Sequence, residues 1–453
     1  MCVNHGMGLS WEKVDDIFLT KNPPAIKSIY EKPLLLHQGH MQWLYDHEGR
    51  RYLDLLGGIL TVSVGHYHRK IVAAVEEQLK TLWHTTTLYR HSKQFEFIEK
   101  LTSKLPEKLQ VVYLTNSGTE ANDLAIVLAK CYTGHNDIIS LQNSYHGNSS
   151  SMMALTAMQS FRQPIPVPPG FHHAMVPDPF RNEWGGCRDC ISQVPDSCSC
   201  TGDCLSTDKY IDQLKEVLEF SIPNRRVAAF FAESIQGAGG IVQFPKGYIK
   251  RAQQLIKEHG GIFVADEVQT GFARTGDTFW GFESHGIIPD IVTLAKGIAN
   301  GLPFAAVVTT KEIAEAHTKA NYFNTFSGNA LAAAAGVAVL EVIDDENIQD
   351  HCKKIGEYFI RQLIQLQQQF PIIGDVRGKG LMLAMELVRP GTKENLSDDC
   401  MIRMHQRLKD LGVLTGLGGR NLNVLKITPP MCITKEDVDF AVSVFNDVFK
   451  QFS

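Results

Sequence analysis

The sequence predicts an α/β protein: a mostly parallel sheet with helices on both faces, joined to a smaller α+β lobe. Three observations carry that expectation. Short apolar runs of strand length recur through the middle of the chain. Amphipathic helical segments alternate with them, and a helix between two strands returns the chain so that the second strand runs parallel to the first. The composition is that of a globular chain: 453 residues, 44% hydrophobic and 21% charged. That is enough to bury a large core, and it excludes disorder as the main state.

In chain order, residues 1–70 read as an irregular segment and a hairpin. Its arms, Gln42–Tyr45 and Arg51–Leu55, flank the turn Asp46-His47-Glu48-Gly49. From about residue 71 to 335 helices and strands alternate. Ile71–Thr81 is helical by its spacing. Val111–Leu114 is a short buried strand. Glu120–Cys131 is a helix with Leu124, Val127, Leu128 and Cys131 on one face, and Gly134 suits its C-terminal cap. Further strands are expected at Asp137–Leu141, Val227–Ala232, Ile262–Ala265, Ile291–Ala295 and Phe304–Thr309, with an amphipathic helix at Tyr248–His259. Residues 336–453 read as a second lobe that shares its layers with the N-terminal segment. A helix near Asn329–Ile343 leads into it. A helix at Ile348–Phe370, several strands and a last helix near Lys435–Phe452 follow.

Charge and hydropathy exclude some functions. Lysines and arginines number 44 against 49 acids, a net charge of −5. That gives no electrostatic reason to bind nucleic acid or an anionic membrane. The longest apolar run, Ala330 to Leu340, is broken at Glu341 and falls short of the ~18 residues that span a bilayer. No targeting segment is expected either: the first arginine is Arg50, while Glu12, Asp15 and Asp16 come early.

In such sheets ligands bind beyond the carboxyl ends of strands. After Val111–Leu114 comes Ser117-Gly118-Thr119 at the start of a helix, whose free N–H groups, hydroxyls and dipole suit a phosphate. An ordinary Ser/Thr cap gives the same pattern. After Ile262–Ala265 comes Asp266, a carboxylate that is costly to bury without a cation. After Ile291–Ala295 comes Lys296, whose amine burial would make nucleophilic. Each of these two also reads as a solvated strand end. Together the three are the parts that hold pyridoxal phosphate: a phosphate cradle, an acid for the pyridine nitrogen and a lysine for a Schiff base. No Walker A, HExxH or G-x-S-x-G pattern competes, and Gly416-Leu417-Gly418 fails the dinucleotide fingerprint at Asn421.

Five motifs extend the pattern: Asn116-Ser117-Gly118-Thr119-Glu120-Ala121-Asn122, Ser144-Tyr145-His146-Gly147, Ala265-Asp266-Glu267-Val268-Gln269-Thr270-Gly271, Leu294-Ala295-Lys296-Gly297 and Asn324-Thr325-Phe326-Ser327-Gly328-Asn329. On these the chain resembles the class III aminotransferases of fold-type I, from about Asp46 to the C-terminal helix. It is most similar to their alanine–glyoxylate branch, to which the insert from Trp184 to Cys204 points. The resemblance implies a seven-stranded sheet and pyridoxal 5′-phosphate as cofactor. It implies Lys296 as the Schiff-base lysine and proton shuttle, and Asp266 as partner of the pyridinium. Val268 and Tyr145 pack on the ring's two faces, Gln269 meets its hydroxyl, and Ser117, Gly118 and Thr119 hold the phosphate, with His146 in the pocket. Thr325 is expected to reach the neighbouring subunit's phosphate, so a homodimer at least is implied. Gly58 and Arg377 are expected to meet substrate, Arg377 through a bidentate pair with its carboxylate. In Glu233-Ser234-Ile235-Gln236 the position that carries a masking acid in some relatives is Ala238, so Arg377 is expected to stay open.

The implied reaction moves an amino group from L-alanine, or a β-amino acid such as 3-aminoisobutyrate, to glyoxylate or pyruvate. A phospho-lyase acting on phosphoethanolamine or phosphohydroxylysine is the alternative on the same scaffold. The resemblance implies a mitochondrial enzyme, and the cytoplasm is the alternative because no transit peptide is visible. No metal is expected at the catalytic site. The crowded cysteines Cys187, Cys190, Cys198, Cys200 and Cys204 read either as a loop of reduced thiols or as a structural zinc site.

Overall fold

A computed structural model describes residues 9–26, 28–188, 200 and 202–452. Cys2, Cys190 and Cys198 lie outside the described residues.

The central sheet has seven strands, in the order Val111–Thr115, Ala305–Thr309, Ile291–Leu294, Ile262–Asp266, Ala229–Glu233, Ile138–Leu141 and Phe171–Ala174. Ala305–Thr309 runs antiparallel to both neighbours, and every other pairing in the sheet is parallel. The six strands expected from their apolar runs are present. Phe171–Ala174 was not foreseen: Phe-His-His-Ala lies at the sheet edge and lacks the apolar run of a buried strand.

The expected helix start at Glu120 lies two residues too late, since the helix runs Gly118–Thr133. Ser117 Oγ caps it by accepting from Glu120 N–H at 3.2 Å, and Gly134 closes it in the left-handed region. Among the described residues, four further helices of eleven residues or more were not foreseen: Trp11–Lys21, Ser92–Thr102, Ser206–Phe220 and Asp398–Asp410. Each carries its apolar residues sparsely among charges, so the periodic signal is diluted. The helix Ala330–Asp345 is buried on nearly all sides against Arg69–Leu79 and Ser92–Thr102, which accounts for the longest apolar run of the chain. Among the described residues no helix is long and apolar enough to cross a membrane.

The chain ends meet in two smaller sheets. The hairpin arms Trp43–Asp46 and Arg51–Asp54 pair with Leu36–His40 on one side and, in parallel, with Val413–Leu414 on the other. Ile373–Lys379, Met382–Leu387, Val424–Ile427 and Gly416–Gly418 form an antiparallel sheet beside them.

Candidate active site

The antiparallel strand decides which segments meet. Because Ala305–Thr309 is antiparallel to both neighbours, Val111–Thr115 runs in the same direction as the parallel strands. The carboxyl ends of Val111–Thr115, Ile291–Leu294, Ile262–Asp266 and Ile138–Leu141 therefore open on one edge, together with the segment entering Ala305. There they line a cavity of about 360 Å³ with Ser117, Gly118, Thr119, Asn122, Tyr145, His146, Asp266, Val268, Gln269 and Lys296 on its walls. Nine of these ten are residues singled out in the sequence, and Asn122 is the addition.

Asp266 is buried without a lysine or arginine partner among the described residues. Its Oδ2 lies 2.7 Å from His146 Nδ1 and accepts from Asn122 Nδ2 at 2.9 Å, while Oδ1 accepts from the Val268 N–H at 3.1 Å. Asn122 also donates to the His146 carbonyl at 2.8 Å, so carboxylate, imidazole and amide are locked as one unit. His146 Nε2 and Asn122 Oδ1 are buried with no hydrogen-bond partner. The adjacent Glu267 is a structural carboxylate. It accepts from Ser234 Oγ, Thr270 Oγ1 and the N–H groups of Gly281 and Phe282, four neutral donors that satisfy the buried carboxylate. Ser234 thus ties the Glu233-Ser234-Ile235-Gln236 turn to the Asp266 strand.

Lys296 follows its strand with a backbone φ of 51°, in the left-handed region. Its side chain reaches the cavity, and desolvation holds its pKa below the ordinary lysine value, against the opposing pull of Asp266 and Glu233. Glu233 is buried at the end of the next strand and accepts from the Tyr145 and Gly237 N–H groups at 3.3 and 2.8 Å and from Gln269 Nε2 at 3.3 Å. Burial pushes its carboxyl up to about 7. Two glycines make the packing possible. A Cβ at Gly237 would lie 2.1 Å from Gln269 Oε1, and one at Gly147, where φ is +137°, would lie 2.6 Å from Thr119 Oγ1.

Three expected residues lie outside the cavity lining. Arg377 pairs through Nη1 with Asp375 (2.7 Å) and Glu386 (2.6 Å) and through Nε with the Gly240 carbonyl (2.9 Å), while its Nη2 is buried with no hydrogen-bond partner among the described residues. Position 238 carries no acid, and Asp375 and Glu386 of the same antiparallel sheet hold one side of the guanidinium. Gly58 is exposed on the turn Gly57–Leu60, and Thr61 one turn on lines the cavity instead. Thr325 is exposed and is not among the residues that line this cavity.

Lys426 was missed. It sits in the strand Val424–Ile427 and runs over Gly416 and Gly418, whose Cβ atoms would meet its Cε and Cδ at 3.3 and 2.8 Å. It is 7% exposed and has no ion-pair partner among the described residues. Desolvation first and the nearby Lys296 charge second bring its pKa down to about 8, against the pull of Glu233. The signal was available: a lysine inside an apolar strand, the same anomaly that marked Asp266 and Lys296.

A phosphate-ready helix start, a buried acid triad and a desolvated lysine around one cavity define a pyridoxal-phosphate-dependent enzyme of fold-type I. The chain belongs to the class III aminotransferase family, which matches residues 27–449. It is 46% identical to alanine–glyoxylate aminotransferase 2, mitochondrial, from Homo sapiens, over 98% of this chain and 87% of the relative. A phospholyase from Arthrobacter solved with phosphoethanolamine superposes with a TM-score of 0.86 at 29% identity, covering 97% and 99% of the two chains. An amine transaminase from an uncultivated Pseudomonas species, solved with pyridoxal phosphate bound, gives 0.83 at 28%, covering 99% and 98%. The protein is a pyridoxal-phosphate-dependent aminotransferase acting on amino acids and 2-oxo acids.

Proposed function

We propose that this aminotransferase moves the amino group of L-alanine to glyoxylate. The observation that carries the site assignment is the convergence of Ser117, Gly118, Thr119, Asp266 and Lys296 on one cavity. The donor and acceptor are supported by the human relative of that name. Pyridoxal phosphate, when bound, supplies an electron sink for the charge left at the substrate Cα. Gly118 and Thr119 offer N–H groups to its phosphate, with the Ser117 and Thr119 hydroxyls beside them. Asp266, kept in place by His146 and Asn122, holds a proton at the ring nitrogen. Val268 and Tyr145 flank the ring. Lys296 Nζ holds the cofactor, then takes the proton from the substrate Cα and returns it on the cofactor side.

Arg377, through its unpartnered Nη2, and Lys426 together take the substrate carboxylate. Lys426 is a buried cation with no ion-pair partner among the described residues, and it lies close enough to Lys296 and Glu233 to feel both charges. Replacing it, Lys426→Met, is expected to raise KM for L-alanine about 10- to 100-fold, the worth of one hydrogen bond to a charged group, with a smaller change in kcat. In the unsubstituted enzyme KM is expected to rise as pH passes about 8, where Lys426 loses its proton. The variant loses that inflection. A KM unchanged in Lys426→Met returns the role to another group.

The chain is also proposed to self-associate. Trp83, Leu88, Tyr89, Phe323 and Phe326 are 63, 75, 68, 55 and 65% exposed. The His84 and Phe326 rings, 5.4 Å apart, bring the two segments onto one face. Thr325 lies within that patch, which supports its reach toward a neighbour's cofactor. Leu88→Asp is expected to weaken the dimer by about 100-fold or more, read by sedimentation, and to lower cofactor retention with it. A mitochondrial location is supported by the human relative's name, and cell fractionation checks it.

The overall reading is tested by incubating the holoenzyme with L-alanine and glyoxylate and measuring glycine and pyruvate. Equal formation of both supports it. Release of inorganic phosphate from phosphoethanolamine, with no glycine formed, moves the assignment to the phospho-lyase.

A further inference from the structure

The last residue of the strand Ala229–Glu233 holds the loops on both sides of it. That strand lies between Ile262–Asp266 and Ile138–Leu141 in the sheet, and it is parallel to both. The loops that leave the three strands therefore start side by side. Gln269 belongs to the loop after Ile262–Asp266, and Tyr145 to the loop after Ile138–Leu141. Glu233 reaches both. Its Oε2 accepts from Gln269 Nε2 at 3.3 Å and from the Gly237 N–H of its own loop at 2.8 Å, and its Oε1 accepts from the Tyr145 N–H at 3.3 Å. Glu233 is buried and is not among the residues that line the cavity, whereas Gln269 and Tyr145 are. It can act on the site only through them and through its charge.

Two neutral bonds already tie these loops. Gln236 Nε2 donates to the Gln142 carbonyl at 3.0 Å, and Asn143 Nδ2 to the Gly239 carbonyl at 2.9 Å. The carboxylate adds two things that they do not. It fixes the Gln269 amide, since only the Nε2 end can face an acceptor, and one Nε2 hydrogen is left for the cavity. It also brings charge. Asp266 on the neighbouring strand, His146 on the Tyr145 loop, Lys296 and Lys426 all lie within its electrostatic reach. Burial first, with Asp266 adding and His146 opposing, pushes the Glu233 carboxyl up to about 7. At about pH 8 it is ionised, and it then raises the proton affinity of both lysines.

We propose that Glu233 is a positioning residue of the reaction: its carboxylate clamps Gln269 and the Tyr145 backbone in place beside the cofactor, and it is the counter-charge that Lys296 and Lys426 share. This role rests on the proposed contacts of Lys296, Gln269 and Tyr145 with the cofactor. Two variants separate its halves. In Glu233→Gln the charge is lost, and the new amide must set its own N–H groups either against the Tyr145 N–H or against those of Gly237 and Gln269. Glu233→Asp keeps the charge and withdraws it by one methylene from its donors.

The test titrates the holoenzyme from about pH 5 to about pH 10, reading the absorption band of the Lys296-bound cofactor, and measures cofactor dissociation by dialysis at about pH 8. In Glu233→Gln the midpoint of the band is expected to fall by about one pH unit, because the Lys296 nitrogen has lost a nearby negative charge. Cofactor is expected to bind about fivefold more weakly, the worth of one hydrogen bond. In Glu233→Asp the midpoint should stay within about 0.3 units of the wild type, while the weaker hold on cofactor remains. A carboxylate that only supports the fold would lower the thermal midpoint of both variants and leave the titration where it was. An unmoved midpoint in Glu233→Gln overturns the proposal. If that variant fails to fold, Glu233→Asp carries the test, and cofactor held as tightly as in the wild type overturns it. Lys296→Ala separates this role from the contacts beneath it. A wild-type band in Lys296→Ala removes those contacts and the role with them. A band lost there but titrating unchanged in Glu233→Gln removes only the role of Glu233.

Discussion

Lys296→Ala is expected to lower amino transfer by about 10⁴-fold, the upper range for losing a positioned proton-transfer group, with the loss in kcat. The variant keeps Asp266 with its three donors and the Ser117–Thr119 helix start, so cofactor still binds in the cavity. What disappears is the one amine that both holds the cofactor and moves the proton at Cα. The same change should stabilise the cofactor-free protein. Burial holds the Lys296 pKa below its unfolded value of 10.5, so the folded state resists a proton that the unfolded chain binds freely. That cost is full below the folded pKa and fades as pH rises toward 10.5. The thermal midpoint of Lys296→Ala should therefore exceed that of the wild type most at neutral pH, and the gap should narrow in alkali. Turnover within about tenfold of the wild type removes Lys296 from the reaction.

Asp266→Asn should lower kcat by about 10³-fold, the upper range for removing one preorganised electrostatic group. An amide can satisfy the His146, Asn122 and Val268 donors only by turning one of its own N–H groups toward another donor. It also carries no charge to hold a proton at the ring nitrogen. KM for L-alanine should move little, because the carboxylate is proposed to be met by Arg377 and Lys426 and not by Asp266. A variant with kcat intact and KM raised reverses that division of roles.

The legible part of the site was the part that breaks a local rule. Asp266 and Lys296 are charges at the ends of apolar strands, and Ser117-Gly118-Thr119 is a hydroxyl-rich turn before a helix, so each stood out from its neighbours. The partners of these residues were not legible. Nothing near Asn122 in the sequence shows that its amide reaches Asp266, because that contact exists only once helix and strand are packed. The partners of Arg377 were hidden for the same reason. Asp375 lies two residues before it on the same strand, and Glu386 faces it only across the antiparallel pairing of Ile373–Lys379 with Met382–Leu387. In the fold, the buried strands announced themselves by uninterrupted apolar runs. The edge strand Phe171–Ala174 and the charge-rich helix Asp398–Asp410 did not, because their stability comes from what they pack against.

The most direct test of the account is the absorption spectrum of the purified holoenzyme through both halves of the reaction. Addition of L-alanine should discharge the band of the Lys296-bound cofactor and release pyruvate. Glyoxylate should then restore the band and yield glycine in equal amount. Lys296→Ala should show neither change. A band that ignores L-alanine, or that it discharges but glyoxylate does not restore, contradicts the proposed reaction.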